Sequence, residues 1–212
     1  MKLVIVEDQP IIRESLRRIC TGEFGHEVVG EAACAEDAVA VTLACKPEVV
    51  LLDVGLPDGS GLTVAARVQP ALPTVRFLIM SGFVDDYTVY RAEKLGVHGF
   101  IDKNTSPSEA LQSALTALAA GRTWFSPSVQ AIRHTRHADP KSFAKVLSDT
   151  EQQVLALIGS GLDDDEIGRK FGITRATAQT HRSHILCKLA IKSTPKLVAF
   201  SIAHGFVRAG SP

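Results

Sequence analysis

The sequence predicts an α/β protein with a second, all-α part: a doubly wound, five-stranded parallel sheet over residues 1–121, a linker over 122–146, and a small four-helix domain over 147–212. Three observations predict it. Short, nearly continuous apolar runs alternate with amphipathic stretches up to about residue 121, the pattern of parallel strands joined by crossover helices that cover both sheet faces. Beyond residue 147 such runs cease and one helix-start signal follows another. The charge divides too: residues 1–125 hold 11 basic and 16 acidic side chains, a net of −5, and residues 126–212 hold the other 12 and 7, a net of +5.

Five strands are read in order, Leu3–Val6, Val28–Ala32, Val49–Asp53, Phe77–Ser81 and Gly99–Ile101, with helices at Ile11–Cys20, Glu36–Ala44, Leu62–Val68, Asp85–Leu95 and Ser106–Ala120. The last helix opens on Ser106 as N-cap, with Pro107 at the first helical position and Glu109 completing a capping box. From Arg122 to Lys145 the pattern loosens around Ser126-Pro127 and Asp139-Pro140, which reads as a polar linker with one short helix. Ser148 and Glu151 form a second capping box, for a helix to about Gly159. Asp163 begins a helix that Gly172 ends, Thr174 caps one running to about Leu189, and Ser193 or Thr194, with Pro195, starts the last.

At 212 residues and 45% hydrophobic content the chain can form one or two cored domains, and 22% charged residues do not suit wholesale disorder. Its formal net charge of zero, taken as one number, argues against a nucleic-acid partner. No apolar run nears the roughly 18 residues of a membrane helix, and Leu3–Val6 is cut short by Glu7-Asp8, too brief for a signal peptide, so no membrane partner and a cytoplasmic location are expected. The cysteines (Cys20, Cys34, Cys45, Cys187) form no Cys-x-x-Cys pair and read as reduced, buried thiols.

In an open parallel α/β sheet ligands bind at the carboxyl ends of the strands. Here the first strand ends in Glu7-Asp8, the third in Asp53 and the fourth in Ser81-Gly82, and Lys103 follows the fifth. Three crowded carboxylates repel one another unless a cation sits among them. Mg²⁺, a hard ion that shares carboxylates with waters and phosphoryl oxygens, suits them better than zinc, and the cluster reads as a phosphoryl-transfer site. Lys103 and Ser81 would hold phosphoryl oxygens, and Asp53 could itself be the nucleophile. Any one of these carboxylates alone would be an ordinary solvated strand end; five matched positions are not.

At Val6-Glu7-Asp8, Leu52-Asp53-Val54-Gly55-Leu56-Pro57, Ser81-Gly82 and Gly99-Phe100-Ile101-Asp102-Lys103 the chain resembles the receiver domain of bacterial two-component response regulators, a flavodoxin-like fold. The resemblance implies that Asp53 takes phosphate from a sensor histidine kinase, that Asp8, Asp53 and the Gly55 carbonyl hold Mg²⁺, and that Glu7 acts through water. It also implies that Ser81 swings toward the phosphate, that Phe100 changes rotamer in response, and that Lys103 pairs with the phosphoryl group. Two departures stand out: Gly55 puts no side chain where the family usually has one, and Asn104 replaces the proline that often follows the lysine.

In the C-terminal part, residues 167–212 hold eight basic side chains and no acidic one, the footprint of a phosphate-backbone partner. Glu166 to Thr174 joins two short helices through a glycine turn, a helix-turn-helix layout whose second helix would enter the major groove of double-stranded DNA. Successive positions at about 100° group Ala178, Arg182, Ile185 and Leu189 on the packed side. Gln179, Thr180 and Ser183 are then the candidates for base contact, Arg182 reaches past the core toward phosphate, and Arg175, Lys188 and Lys192 add phosphate contacts. A metal site at His181, His184 and Cys187 is set aside, because the three spread over about 120° of the helix.

Leu147-Ser148-Asp149-Thr150-Glu151, Gly161-Leu162, Glu166-Ile167, Thr177-Ala178-Gln179-Thr180-His181 and Lys188-Leu189 resemble the NarL/LuxR-type DNA-binding domain. That resemblance implies that the third helix reads DNA and that the fourth aids dimerisation. The chain departs from it at Asp163-Asp164-Asp165, Gly168 and Gln179. Together the parts predict a phosphorylation-controlled transcription regulator that acts as a homodimer on DNA, and no enzyme beyond its own phosphorylation and dephosphorylation. A regulator controlled by protein contacts without phosphate, and an Asp-nucleophile phosphohydrolase, are the alternatives.

Overall fold

The computed structural model describes residues 1–105 and 107–207. Through the N-terminal half, strands and helices alternate: β1 (Lys2–Val6), α1 (Pro10–Arg18), β2 (Glu27–Ala32), α2 (Ala35–Cys45), β3 (Val49–Asp53), a small hairpin of β4 (Gly55–Leu56) and β5 (Gly59–Ser60), α3 (Gly61–Val68), β6 (Arg76–Ser81), α4 (Asp86–Lys94), β7 (Gly99–Asp102) and α5 (Pro107–Ala119). A two-residue strand β8 (Trp124–Phe125) follows, then α6 (Pro127–Ala138), α7 (Phe143–Val146), α8 (Asp149–Gly159), α9 (Asp164–Phe171), α10 (Arg175–Lys188) and α11 (Thr194–Ala203). The chain divides into two compact units, Met1–Val84 with Arg91–Ala131, and Asp85–Tyr90 with Ile132–Pro212.

The first unit is a parallel sheet in the order β2-β1-β3-β6-β7-β8. Every residue of β3 is buried, as the unbroken apolar run Val49–Leu52 requires of a strand covered on both faces. On one face Leu3, Ile5, Val49, Leu51, Leu78, Met80 and Ile101 pack against Leu111, Ala114, Leu115 and Leu118 of α5. The sheet has six strands, not the five expected. Trp124-Phe125 is too short to show a period, and its strand character comes from pairing with Gly99 and Phe100. The expected linker therefore supplies a strand, and it also supplies Phe143, buried in the core of the second unit.

Helix ends follow their capping chemistry in part, and α2 is one that does not. Cys34, at the start of α2, makes no cap bond with its side chain. Asp58, from the loop after β3, caps the helix instead, accepting from the Ala35 and Glu36 amides at 2.6 and 3.0 Å. Ser106 lies outside the described residues, so the capping box expected there is not seen.

In the second unit Val154, Leu155, Ile158, Ile167, Ala178, Ile185 and Leu197 form the core. Ser148 and Asp163 each close the capping box with the glutamate three residues on. Gly172 ends α9 at φ 65°, a left-handed backbone that turns the chain into α10 without a side-chain clash. Ser193 makes no side-chain cap bond at α11, and Pro195 stands at its second position.

All four cysteines are free, but they are not uniformly buried. Burial pushes the Cys20 thiol up to about 11. Cys34 and Cys45 are half-buried, and Cys187 is exposed because it lies off the packed side of α10.

Candidate functional site

The strand register gathers the acidic residues. β1, β3 and β6 run parallel with Val6 beside Leu52 and Asp53 beside Met80, so Glu7, Asp8, Asp53 and Ser81 emerge along one edge. Carboxylate oxygens of Glu7, Asp8 and Asp53 lie within 4.8 Å of one another. Lys103, in the turn after β7, places Nζ 2.6 Å from both Glu7 Oε2 and Asp53 Oδ1. Its backbone amide donates to the Ser81 carbonyl at 2.9 Å, which fixes where its stem begins.

Burial sets the electrostatics. Glu7 is fully buried, and that burial pushes its carboxyl above the ordinary value against the pull of Lys103, with Asp53 adding to the rise. The same burial would lower Lys103, but two carboxylates outweigh it and hold the ammonium above its ordinary value. One ammonium thus offsets part of a three-carboxylate cluster. Glu7 Oε1 finds no hydrogen-bond partner among the described residues. A buried carboxylate oxygen left unpaired is costly, and a hard cation or its water is the partner it fits.

Asp53 keeps one oxygen on Lys103 and the other on the Gly55 amide, at 3.0 Å. Ser81 is buried, and its hydroxyl is turned to Phe83, donating to the carbonyl at 2.7 Å and accepting from the amide at 3.1 Å. Phe100 is buried within β7.

Three further residues shape this edge without having been singled out for it. Arg13 donates to the Glu7 carbonyl at 2.6 Å. Asp58 ties the loop after Asp53 to α2. Asn104 donates to the Gly82 carbonyl at 2.6 Å and to Asp102 Oδ1 at 3.0 Å, bracing the turns after β6 and β7. Asn104 was legible only as a departure from the usual proline, Asp58 only as part of the turn-rich loop Leu56-Pro57-Asp58-Gly59-Ser60-Gly61 after Asp53, and Arg13 carried no sequence signal.

On α10, Gln179, Thr180 and Ser183 are exposed, as is Lys192 beyond the helix. The other three cations of that reading are engaged within the unit. Arg182 binds Asp164, with Nε and Nη2 at 2.9 and 2.8 Å from Oδ1. Arg175 lies 3.3 Å from Asp165, and Lys188 lies 2.7 Å from Glu151. Glu151 is buried. Desolvation raises its carboxyl, but Lys188 and the Ser148 bonds outweigh that and leave it below its ordinary value. A depressed carboxyl stabilises the fold above its unfolded value, and that stability is lost as pH falls through the folded one. Lys188→Met is accordingly expected to cost about 1 kcal/mol at neutral pH, with the difference from wild type closing in acid, as read by urea unfolding across pH.

Comparison with known proteins matches both parts of the chain to families. Residues 3–115 match the response regulator receiver domain, and residues 145–201 match the bacterial regulatory proteins of the luxR family. The response regulator protein VraR of Staphylococcus aureus is 28% identical over 208 residues, spanning 98% of this chain and 99% of that protein. A LuxR-family two-component response regulator from Aurantimonas sp. superposes with a TM-score of 0.61 at 28% identity, over 65% of this chain and 98% of that one. RcsB from Salmonella enterica serovar Typhimurium, bound to a promoter with the phosphomimetic BeF3-, gives 0.68 at 22% identity, over 94% and 97%. The chain therefore belongs to the response regulators, and within them to the LuxR type: a DNA-binding transcription regulator with a receiver domain ahead of a helix-turn-helix domain.

Proposed function

We propose that phosphate on Asp53 controls DNA binding by this chain. The observation that carries the reading is the Asp53 carboxylate itself, held at a strand end by one backbone amide and one ammonium, with two more carboxylates within 4.8 Å. An Asp53 oxygen attacks the phosphorus of a phosphohistidine on a sensor kinase, the P–N bond breaks, and its electron pair leaves with the imidazole. Lys103 exchanges part of its contact with Glu7 and Asp53 for the incoming phosphoryl oxygens. Ser81, released from Phe83, donates its hydroxyl to the same group. Glu7, Asp8, Asp53 and the Gly55 carbonyl would hold Mg²⁺, which when bound supplies positive charge to the phosphoryl oxygens.

The second unit reads DNA through Gln179, Thr180 and Ser183, with exposed cations on the backbone phosphates. RcsB structures with DNA, one of them two dimers on two parallel DNAs, support a homodimer bound to duplex. Among the described residues no helix is long and apolar enough to cross a membrane.

Selection of duplexes from a random pool, with and without acetyl phosphate and Mg²⁺, tests the proposal. Enrichment of one sequence that depends on phosphodonor is expected, and enrichment independent of it would overturn the switch. Metal binding has its own readout. At tenfold excess over its dissociation constant, Mg²⁺ should stabilise the chain by about 1.4 kcal/mol through mass action, a gain that Asp8→Asn removes in thermal melts.

A further inference from the structure

The run Asp163-Asp164-Asp165 sets acidic charge at the entrance of a DNA-reading fold, and its three side chains act differently. Asp163 caps α9, accepting from the Asp165 and Glu166 amides at 2.9 and 2.8 Å. Asp165 faces Arg175 in an open pair, 54% and 71% exposed. Asp164 and Arg182 make a largely enclosed pair, 20% and 16% exposed, in which Nε donates to Oδ1 at 2.9 Å and Nη2 lies 2.8 Å from the same oxygen. Asp164, Asp165, Arg175, Gln179, Arg182 and Ser183 line a single groove of about 470 Å³, so the carboxylates stand beside the side chains proposed to read bases.

Exposed ion pairs hold weakly and exchange partners at little cost, so Arg175 stays available to a phosphate. Arg182 does not. Moving its guanidinium to DNA would leave Asp164 half-enclosed, unpaired and facing a polyanion, and both changes are unfavourable. Lys170, Lys192 and Lys196 are exposed and have no ion-pair partner among the described residues.

We infer that Asp164 is a specificity-determining residue: it withholds Arg182 from the DNA backbone, leaves phosphate contact to the free lysines, and so lowers affinity for DNA of arbitrary sequence relative to the cognate site. This rests on the DNA-binding reading above. Specificity is a ratio, and weakening sequence-independent attraction raises it as surely as adding a base contact does. The run of aspartates thereby acquires a role beyond helix capping.

The salt dependence of binding to a fluorescent duplex of mixed sequence decides the matter, using the full chain in acetyl phosphate and Mg²⁺ between about 50 and 200 mM salt. Each phosphate contact contributes about 0.9 to the slope of log affinity against log salt, or about threefold in affinity over that range. Arg182→Gln should leave the wild-type slope unchanged, whereas Lys192→Ala should reduce it by about 0.9. Asp164→Asn, which frees Arg182, should bind this duplex at least about threefold more tightly at the lower salt and steepen the slope by about 0.9. Circular dichroism melts establish that each variant is folded, and Arg182→Lys replaces Arg182→Gln should the latter unfold, with the same unchanged slope expected. A shallower slope for the folded Arg182 variant, or no change in Asp164→Asn, overturns the inference while the DNA-binding reading stands. A wild-type chain that binds no duplex even at the lower salt overturns both.

Discussion

Asp53→Asn is expected to take up no phosphate from acetyl phosphate and Mg²⁺, with labelling reduced by on the order of 100-fold or more. The substitution keeps the shape of the side chain and its bond from the Gly55 amide, so the loop stays in place. What it removes is the proposed nucleophile, since an amide oxygen does not attack the phosphorus of an acyl phosphate or a phosphoramidate at a useful rate. The neighbouring carboxylates do not substitute for it. Glu7 is fully buried and bonded to Lys103, and Asp8 lies on a different strand end from the Gly55 amide that orients Asp53. Phosphate-affinity electrophoresis followed by peptide mapping measures the outcome. Label retained on Asp8 or Glu7 would show that another carboxylate is the acceptor. DNA binding that still responds to phosphodonor in the variant would separate the switch from Asp53 altogether.

Gly61→Ala should be nearly as damaging, by a different route. A Cβ at residue 61 would stand 2.0 Å from the Asp53 carbonyl oxygen and 3.0 Å from its carbonyl carbon. Both obstacles are backbone, and neither can rotate away. The Gly61 amide also donates to the Val54 carbonyl at 3.0 Å, so helix α3 starts against the very strand end that carries Asp53. Relief requires the loop from Val54 to Ser60 to move, and with it Gly55, whose amide orients Asp53. A loss of about 3 kcal/mol in urea unfolding is expected, from overpacking against a rigid neighbour. Phosphorylation should fall in the fraction that remains folded. A variant with wild-type stability and labelling would mean that the loop yields freely.

Most of this architecture was legible in the chain's own pattern. Five of the six main strands, the capping box at Ser148, the helix start at Asp163, and the glycine turn at Gly172 follow from local chemistry that a linear sequence displays directly: apolar period, a cap side chain, a residue free to adopt positive φ. The carboxylates could be placed together because parallel strands deliver their carboxyl ends to one edge. The split of a zero net charge into −5 and +5 was equally plain, and it separated an acidic half that matches a receiver domain from a basic half that matches a DNA-binding domain before any contact was known.

Other features depend on residues far apart in the chain. β8 is a strand only because β7 offers an edge to Trp124 and Phe125. Asp58 caps a helix that begins 23 residues earlier. Helical spacing put Arg182 on the packed side of α10 and offered Lys188 to phosphate, but periodicity assigns a face and not a partner. Asp164 lies 18 positions before Arg182, and Glu151 lies 37 before Lys188. Counting cations along the sequence therefore does not say which of them already face a carboxylate of their own unit, as Arg182 and Lys188 do. A side chain's period is set by its own backbone and can be read from its neighbours, whereas the counter-charge it meets is set by how separate helices pack, and only the folded chain decides that.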